Sequence, residues 1–159
     1  MAWGFDATVR KLIAGGRNLE AAALLRDKTR RDPRPKPHHL NFLGVCEAQL
    51  GHPELAKELF RQVLLLAPRD AKALNNLGNL AYIAEDSETA RDYYLKSLRE
   101  SVWATEPRYN LTALYQDIGH SEKALSSYED YVFVRRAILW ARIAAAGIAV
   151  LLLGLALSL

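Results

Sequence analysis

Residues 40–68 read LNFLGVCEAQLGHPELAKELFRQVLLLAP, and residues 74–98 read LNNLGNLAYIAEDSETARDYYLKSL. The two stretches share one plan. Each opens on a Leu-Gly pair, Leu43-Gly44 or Leu77-Gly78, and has a polar turn seven residues after the glycine, at Gly51 or Glu85. A small residue follows five residues later, Ala56 or Ala90, and an aromatic one four residues beyond it, Phe60 or Tyr94. Between these positions the apolar residues recur at helical spacing, so each stretch predicts two antiparallel helices around a turn. Glycine and alanine mark the places where two backbones come close. Residues four apart lie on one face of a helix, so the aromatic side chain is placed to fill the gap between helices.

The same register extends in both directions. Ala21, Ala56, Ala90 and Ala124 lie 35, 34 and 34 residues apart. Gly16 and Gly119 occupy the turn positions of the outer units, Leu25 and Tyr128 the large-residue positions, and Val9 and Thr112 the glycine positions. Pro33 and Pro68 close the first two units. This plan resembles the tetratricopeptide repeat (TPR), a helix hairpin with a period of 34 residues. The resemblance covers nearly all of residues 2–134 and implies a right-handed, all-α solenoid of about four hairpins. The units are expected at about 2–35, 37–70, 71–104 and 105–136. Helices are expected near 5–14, 18–31, 38–50, 53–66, 71–84, 87–100, 105–118 and from 121 onward. Pro53 and Pro107 suit first-turn positions, and Ser87 and Ser121 are candidate N-caps. The run Asp32–Pro37, DPRPKP, forbids helix and marks the one linker.

Composition narrows the class. The net charge is +3, but it is unevenly spread. Residues 1–39 carry nine bases and four acids, residues 40–134 nine bases and fourteen acids, and residues 135–142 three arginines without an acid. The single cysteine, Cys46, rules out an intrachain disulfide and a cysteine-based zinc site; its apolar helical setting predicts a small buried residue. The N-terminus has no long apolar core and no secretory signal. No P-loop, HExxH, dinucleotide fingerprint or Ser/His/Asp arrangement is present, so no enzyme activity and no cofactor are expected. His38-His39 invites a metal reading. Adjacent helical residues point about 100° apart and rarely share a metal, and no third ligand is expected near, so no metal is expected. The basic stretch Arg26–Lys36 contains Asp27 and Asp32 and lacks interleaved aromatics. It predicts a solvated face or a contact with an acidic partner, not nucleic-acid binding.

From Ile143 to Leu159 the chain reads IAAAGIAVLLLGLALSL without a charge. Counted from Ile138 the run is interrupted only by Arg142. A span of 22 residues at ~1.5 Å rise is about 33 Å long, enough for a bilayer core. One transmembrane helix is therefore expected at 137–159, in tail-anchor topology. Arg135, Arg136, Trp140 and Arg142 would mark its interface, and the basic flank would place the repeat domain, residues 1–134, on the cytoplasmic side. No helix breaker lies between Ser121 and Gly147, so the last repeat helix is expected to run straight into the span. Ala141, Ala145 and Ala149 recur every four residues and suit close packing against another helix.

In tetratricopeptide proteins the first helices of successive units line a groove for protein partners. The resemblance implies that Asn41, Val45, Lys72, Asn75, Asn79, Tyr82, Tyr109, Ala113 and Gln116 line it here, with Asn76 and Asn110 one place later. Asparagine can both donate to and accept from a peptide backbone. A co-chaperone clamp for a carboxylate tail is argued against, because Asp6, Arg10 and Glu106 stand at clamp positions and only Lys72 and Asn76 fit. The expected function is a non-enzymatic adaptor or accessory subunit that organises or assembles a membrane protein complex, in the bacterial inner membrane by its Arg-, Ala- and Leu-heavy composition. The alternative is a eukaryotic tail-anchored organelle receptor resembling mitochondrial fission adaptors. Those usually carry basic residues after the span, whereas this chain ends Leu-Ser-Leu.

Overall fold

A computed structural model describes residues 2–157, with side chains at 4–150 and 152. Eight helices make up the described residues, and none of these residues is in a strand: α1 (Ala2–Ala14), α2 (Asn18–Arg31), α3 (Pro37–Gln49), α4 (Pro53–Leu66), α5 (Ala71–Ile83), α6 (Ser87–Glu100), α7 (Glu106–Asp117) and α8 (Ser121–Leu157). They fall into two compact units, Met1–Val102 and Trp103–Leu159.

The first unit is a solenoid of three hairpins. Within it α2 packs on α3, α4 on α5, and α3 on α5. Its core runs through Val9, Leu12, Ala21, Ala22 and Leu25 into Leu40, Leu43 and Cys46, then Leu59, Val63 and Ala73. Gly44 and Gly78 are buried and each faces the ring of its own hairpin. A Cβ at Gly44 would lie 2.5 Å from Phe60 Cε1, and one at Gly78 would lie 2.6 Å from Tyr94 Cε1. The small residue and the aromatic four places after the alanine are thus one device, a ring seated on a bare backbone. Phe60 and Tyr94 are both 1% exposed, and burial of side chains of this size contributes roughly 1.5–3 kcal/mol each.

Turn chemistry follows the register. Gly16, Gly51 and Gly119 sit at φ 72°, 83° and 76°, and Glu85 takes the same left-handed turn at φ 60°. Two capping expectations shift by one residue. Asp86, not Ser87, caps α6 by accepting from the Thr89 amide at 3.1 Å. Ser121 is the first helical residue of α8, and the first turn closes from the Ala124 amide to the His120 carbonyl at 3.0 Å. A carboxylate placed one residue earlier reaches the free amides of the first turn and complements the helix dipole. The linker likewise ends at Lys36, because Pro37 is the first residue of α3.

The second unit is a fourth hairpin whose second helix is far longer than its first. Here the ring-on-glycine device fails. Thr112 is 6% exposed and Tyr128 is 49% exposed. The threonine side chain stands where the second and third hairpins leave bare backbone, and its Oγ1 donates to the Arg108 carbonyl at 3.0 Å, so the tyrosine ring stays outside. α8 is unbroken over 37 residues, about 55 Å at ~1.5 Å per residue, and continues from the hairpin into the apolar run as expected. Every residue from 141 to 150 is exposed. Among the described residues no helix is long and apolar enough to cross a membrane. The segment expected at 137–159 extends past them: Ser158 and Leu159, and the side chains of Leu151 and 153–157, lie outside the described residues.

Candidate functional site

The asparagines of the implied groove are engaged with the protein itself. Asn76 Nδ2 on α5 donates to Asn41 Oδ1 on α3 at 3.0 Å, tying successive first helices together. Asn41 is 7% and Asn75 9% exposed. Asn79 accepts from the Tyr94 hydroxyl at 2.9 Å. Burial pushes that hydroxyl's pKa well above the usual tyrosine range, and neighbouring Tyr82 adds to the rise, so it remains a donor. The bond joins α5 to α6 and holds the ring over Gly78. In this unit the groove face offers Lys72, which is exposed, and the half-buried edges of Val45, Asn76, Asn79 and Tyr82. Asparagine here ties the inner helices of successive hairpins together.

In the second unit Tyr109 is 56% exposed, Gln116 is exposed, and Asn110 and Ala113 are half-buried. Tyr109 lies tilted by 55° against Tyr131 with ring centroids 5.6 Å apart, and Tyr131 neighbours Tyr128 at 6.2 Å. The Arg135 guanidinium lies 5.5 Å above the Tyr131 ring and donates to its hydroxyl at 2.9 Å. Three of the four residues expected at the membrane interface, Arg135, Arg136 and Arg142, meet in one cleft of about 500 Å³. Its other walls are Thr105, Tyr128 and Tyr131 with the apolar Val132, Ile138 and Leu139. Trp140 is 68% exposed and does not line the cleft. Ala141, Ala145 and Ala149 share one exposed face of α8, and a Cβ at nearby Gly147 would meet nothing within 4 Å. Sequence reading missed the tyrosine cluster, although Tyr128, Tyr131 and Arg135 stand at the i, i+3 and i+7 positions of one helical face.

Two further clusters join residues distant in sequence. Glu47 is fully buried, yet its Oε1 lies 2.6 Å from Arg26 of α2 and its Oε2 2.9 Å from His52 Nδ1. Arg26 approaches off the hydrogen-bonding direction, so that contact is mainly Coulombic. Arg30 and Arg31 pair with Asp27, so much of the basic stretch is matched internally. At the other cluster, the expectation that His38 and His39 diverge without a third ligand is overturned. Their ring centroids are 4.2 Å apart, and Asp6 of α1 reaches both, at 3.3 Å from His38 Nε2 and 2.8 Å from His39 Nε2. Helical geometry sets where Cβ atoms point, but two long rings drawn to a common carboxylate still converge. The hydrogen bond from His39 holds the Asp6 carboxyl below its usual range, and burial holds His38 below the usual histidine range.

Comparison with known proteins bears on the fold. Residues 47–101 match the sequence profile described as a tetratricopeptide repeat. The crystal structure of MamA aligns with 80% of the chain and 74% of its own length, at 21% identity and a TM-score of 0.65. The structure reported as a functional characterisation of Pseudomonas aeruginosa pilF aligns with 84% of the chain, at 21% identity and a TM-score of 0.73; the chain spans 60% of it. No curated protein sequence matches the chain.

Proposed function

We propose that this chain is a non-enzymatic, membrane-anchored adaptor: a tetratricopeptide-type scaffold for protein partners, fixed to a membrane by its C-terminal helix and acting in the assembly or organisation of a membrane protein complex. The observation that carries the reading is α8. It is one unbroken helix from Ser121 to Leu157. No acidic residue follows Asp130 in the sequence, Arg135, Arg136 and Arg142 stand at the base of the apolar run, and residues 143–159 are uncharged. Ile143, Ile148, Val150 and Leu152 are 50%, 58%, 70% and 61% exposed. A helical face of that kind is stable when lipid or another apolar helix covers it.

The basic flank favours a cytoplasmic position for the hairpins, and the overall composition favours the bacterial inner membrane. A helix continuous with the fourth hairpin would hold that hairpin in a set pose over the bilayer, as a complex subunit requires; a tether would use a Gly/Ser linker. The small-residue face Ala141, Ala145, Ala149 is then the packing surface toward other membrane helices. Lys72, Asn79 and Tyr82 in one unit and Tyr109 and Gln116 in the other are the groove residues for partners. Repeat folds present extended surfaces that bind partners, which suits an adaptor without chemistry of its own.

The test is extraction followed by co-purification. The full-length protein should resist alkaline carbonate, dissolve in mild detergent, and co-elute with membrane proteins on size exclusion. Release by carbonate would refute the anchor. Membrane retention with no co-eluting protein at any detergent concentration would refute the role in a complex.

A further inference from the structure

We propose that Asp6, His38 and His39 form a binding site for one divalent transition-metal ion of the zinc class, which staples α1 to the start of α3. The site lies wholly in the first unit and is independent of the membrane reading.

The donors are already assembled. One carboxylate oxygen and one ring nitrogen from each imidazole lie within 4.8 Å of one another. His39 Nε2 is 2.8 Å from Asp6 Oδ1, and His38 Nε2 is 3.3 Å from Asp6 Oδ2. A tetrahedral ion with bonds of about 2.0–2.2 Å holds its ligands roughly 3.3–3.5 Å apart, so the most widely spaced donors must close by up to about 1.5 Å, within reach of side-chain rotation on the half-exposed His38. Two imidazoles and one carboxylate suit zinc and its transition-metal neighbours; calcium and magnesium favour all-oxygen sites.

The scaffold around the donors is fixed. Pro37 begins α3 after an extended Lys36 at φ −70° and ψ 135°, so His38 and His39 occupy the second and third helical positions. Phe5 stands edge-on to His39 at 5.4 Å and Phe42 edge-on to His38 at 6.3 Å. The His39 side chain is 5% exposed, and its Nδ1 has no hydrogen-bond partner among the described residues. For Nε2 to ligate, the ring proton moves to Nδ1, and the metal takes the place of the hydrogen bond between Nε2 and Asp6. The His38 side chain is 45% exposed. It gives the ion a route in and leaves a fourth position open to water.

The ion bridges elements 32 residues apart (Asp6 to His38), so binding should stabilise the N-terminal helix. The test uses chelator-stripped full-length protein in mild detergent, titrated with zinc chloride and separately with cobalt chloride. The expected result is one equivalent of Zn²⁺ bound at micromolar affinity or tighter, a higher melting midpoint, and a visible Co²⁺ spectrum of tetrahedral type. Asp6→Asn and His38→Gln should each weaken binding at least tenfold. His38 is half exposed, so His38→Gln keeps the question open to refutation even if Asp6→Asn fails to fold. No saturable binding by the unaltered protein would overturn the proposal. So would equal affinity in His38→Gln, which would assign the ion to His52 or His120.

Discussion

Gly78→Ala separates a packing requirement from helix propensity, and its sign can be worked out. By propensity alone, replacing an interior helical glycine with alanine should stabilise by about 1 kcal/mol. At Gly78 the new methyl would lie 2.6 Å from Tyr94 Cε1, 2.7 Å from Cδ1 and 3.3 Å from the Ala90 carbonyl oxygen. Carbon pairs sit comfortably at about 3.5–4.0 Å, so the ring must retreat by about 1 Å. It has little room: Tyr94 is 1% exposed and its hydroxyl is held by Asn79 at 2.9 Å. Overpacking of a tight core costs about 1–3 kcal/mol, and loss of the hydroxyl bond costs about 1 kcal/mol more. After the propensity gain, the expected net loss is about 2 kcal/mol, or about 4–8 °C in melting temperature for a chain of this length. The assay is thermal and urea denaturation of Gly78→Ala with Tyr94 present, and again in a Tyr94→Leu background. With the ring gone, the same substitution should become neutral or stabilising, so the two effects differ in sign. A higher melting temperature for Gly78→Ala with Tyr94 intact would refute the ring-on-glycine account.

Three other outcomes follow from the same geometry. Glu85→Gly should stabilise by about 1 kcal/mol, since Glu85 holds φ 60° at a cost glycine does not incur; equal urea midpoints would show the turn to be unstrained. Arg26→Met should destabilise by about 2 kcal/mol, less than the 3–5 kcal/mol of fully buried pairs because Arg26 is 45% exposed, and adding Glu47→Leu should recover part of the loss; a double variant no better than the single would remove the Coulombic role. Cys46 should be inert in the folded state, because burial keeps it inaccessible and pushes its pKa up to about 11, leaving roughly one thiolate in a thousand at pH 8. Thiol reagent should react fully in denaturant and negligibly without it, and fast labelling of native protein would contradict that placement.

Much of the architecture was legible in sequence because tetratricopeptide-type packing is local. A glycine, a turn, an alanine and an aromatic at set offsets decide one hairpin, and all eight expected helices match the observed boundaries within three residues at their starts. Where the register drifts, the physics drifts with it. Thr112 stands at the glycine position of the fourth hairpin, and the outward turn of Tyr128 there was not foreseen from the register.

Sequence by itself determined the helix hairpins, the positions of their turns, the buried cysteine and the uninterrupted course of α8, since each depends on neighbours close along the chain. Tertiary structure alone decided what the polar side chains do. The groove asparagines carry the right chemistry for a peptide, but 35 residues of chain separate Asn41 from Asn76, and only stacking showed that they bind each other. Asp6 lies two helices away from His38 and His39, and Arg26 lies one helix away from Glu47. Short-range periodicity places backbones, whereas the partner of a charge is whichever group the packed helices bring within about 3 Å, and no spacing along the chain encodes that.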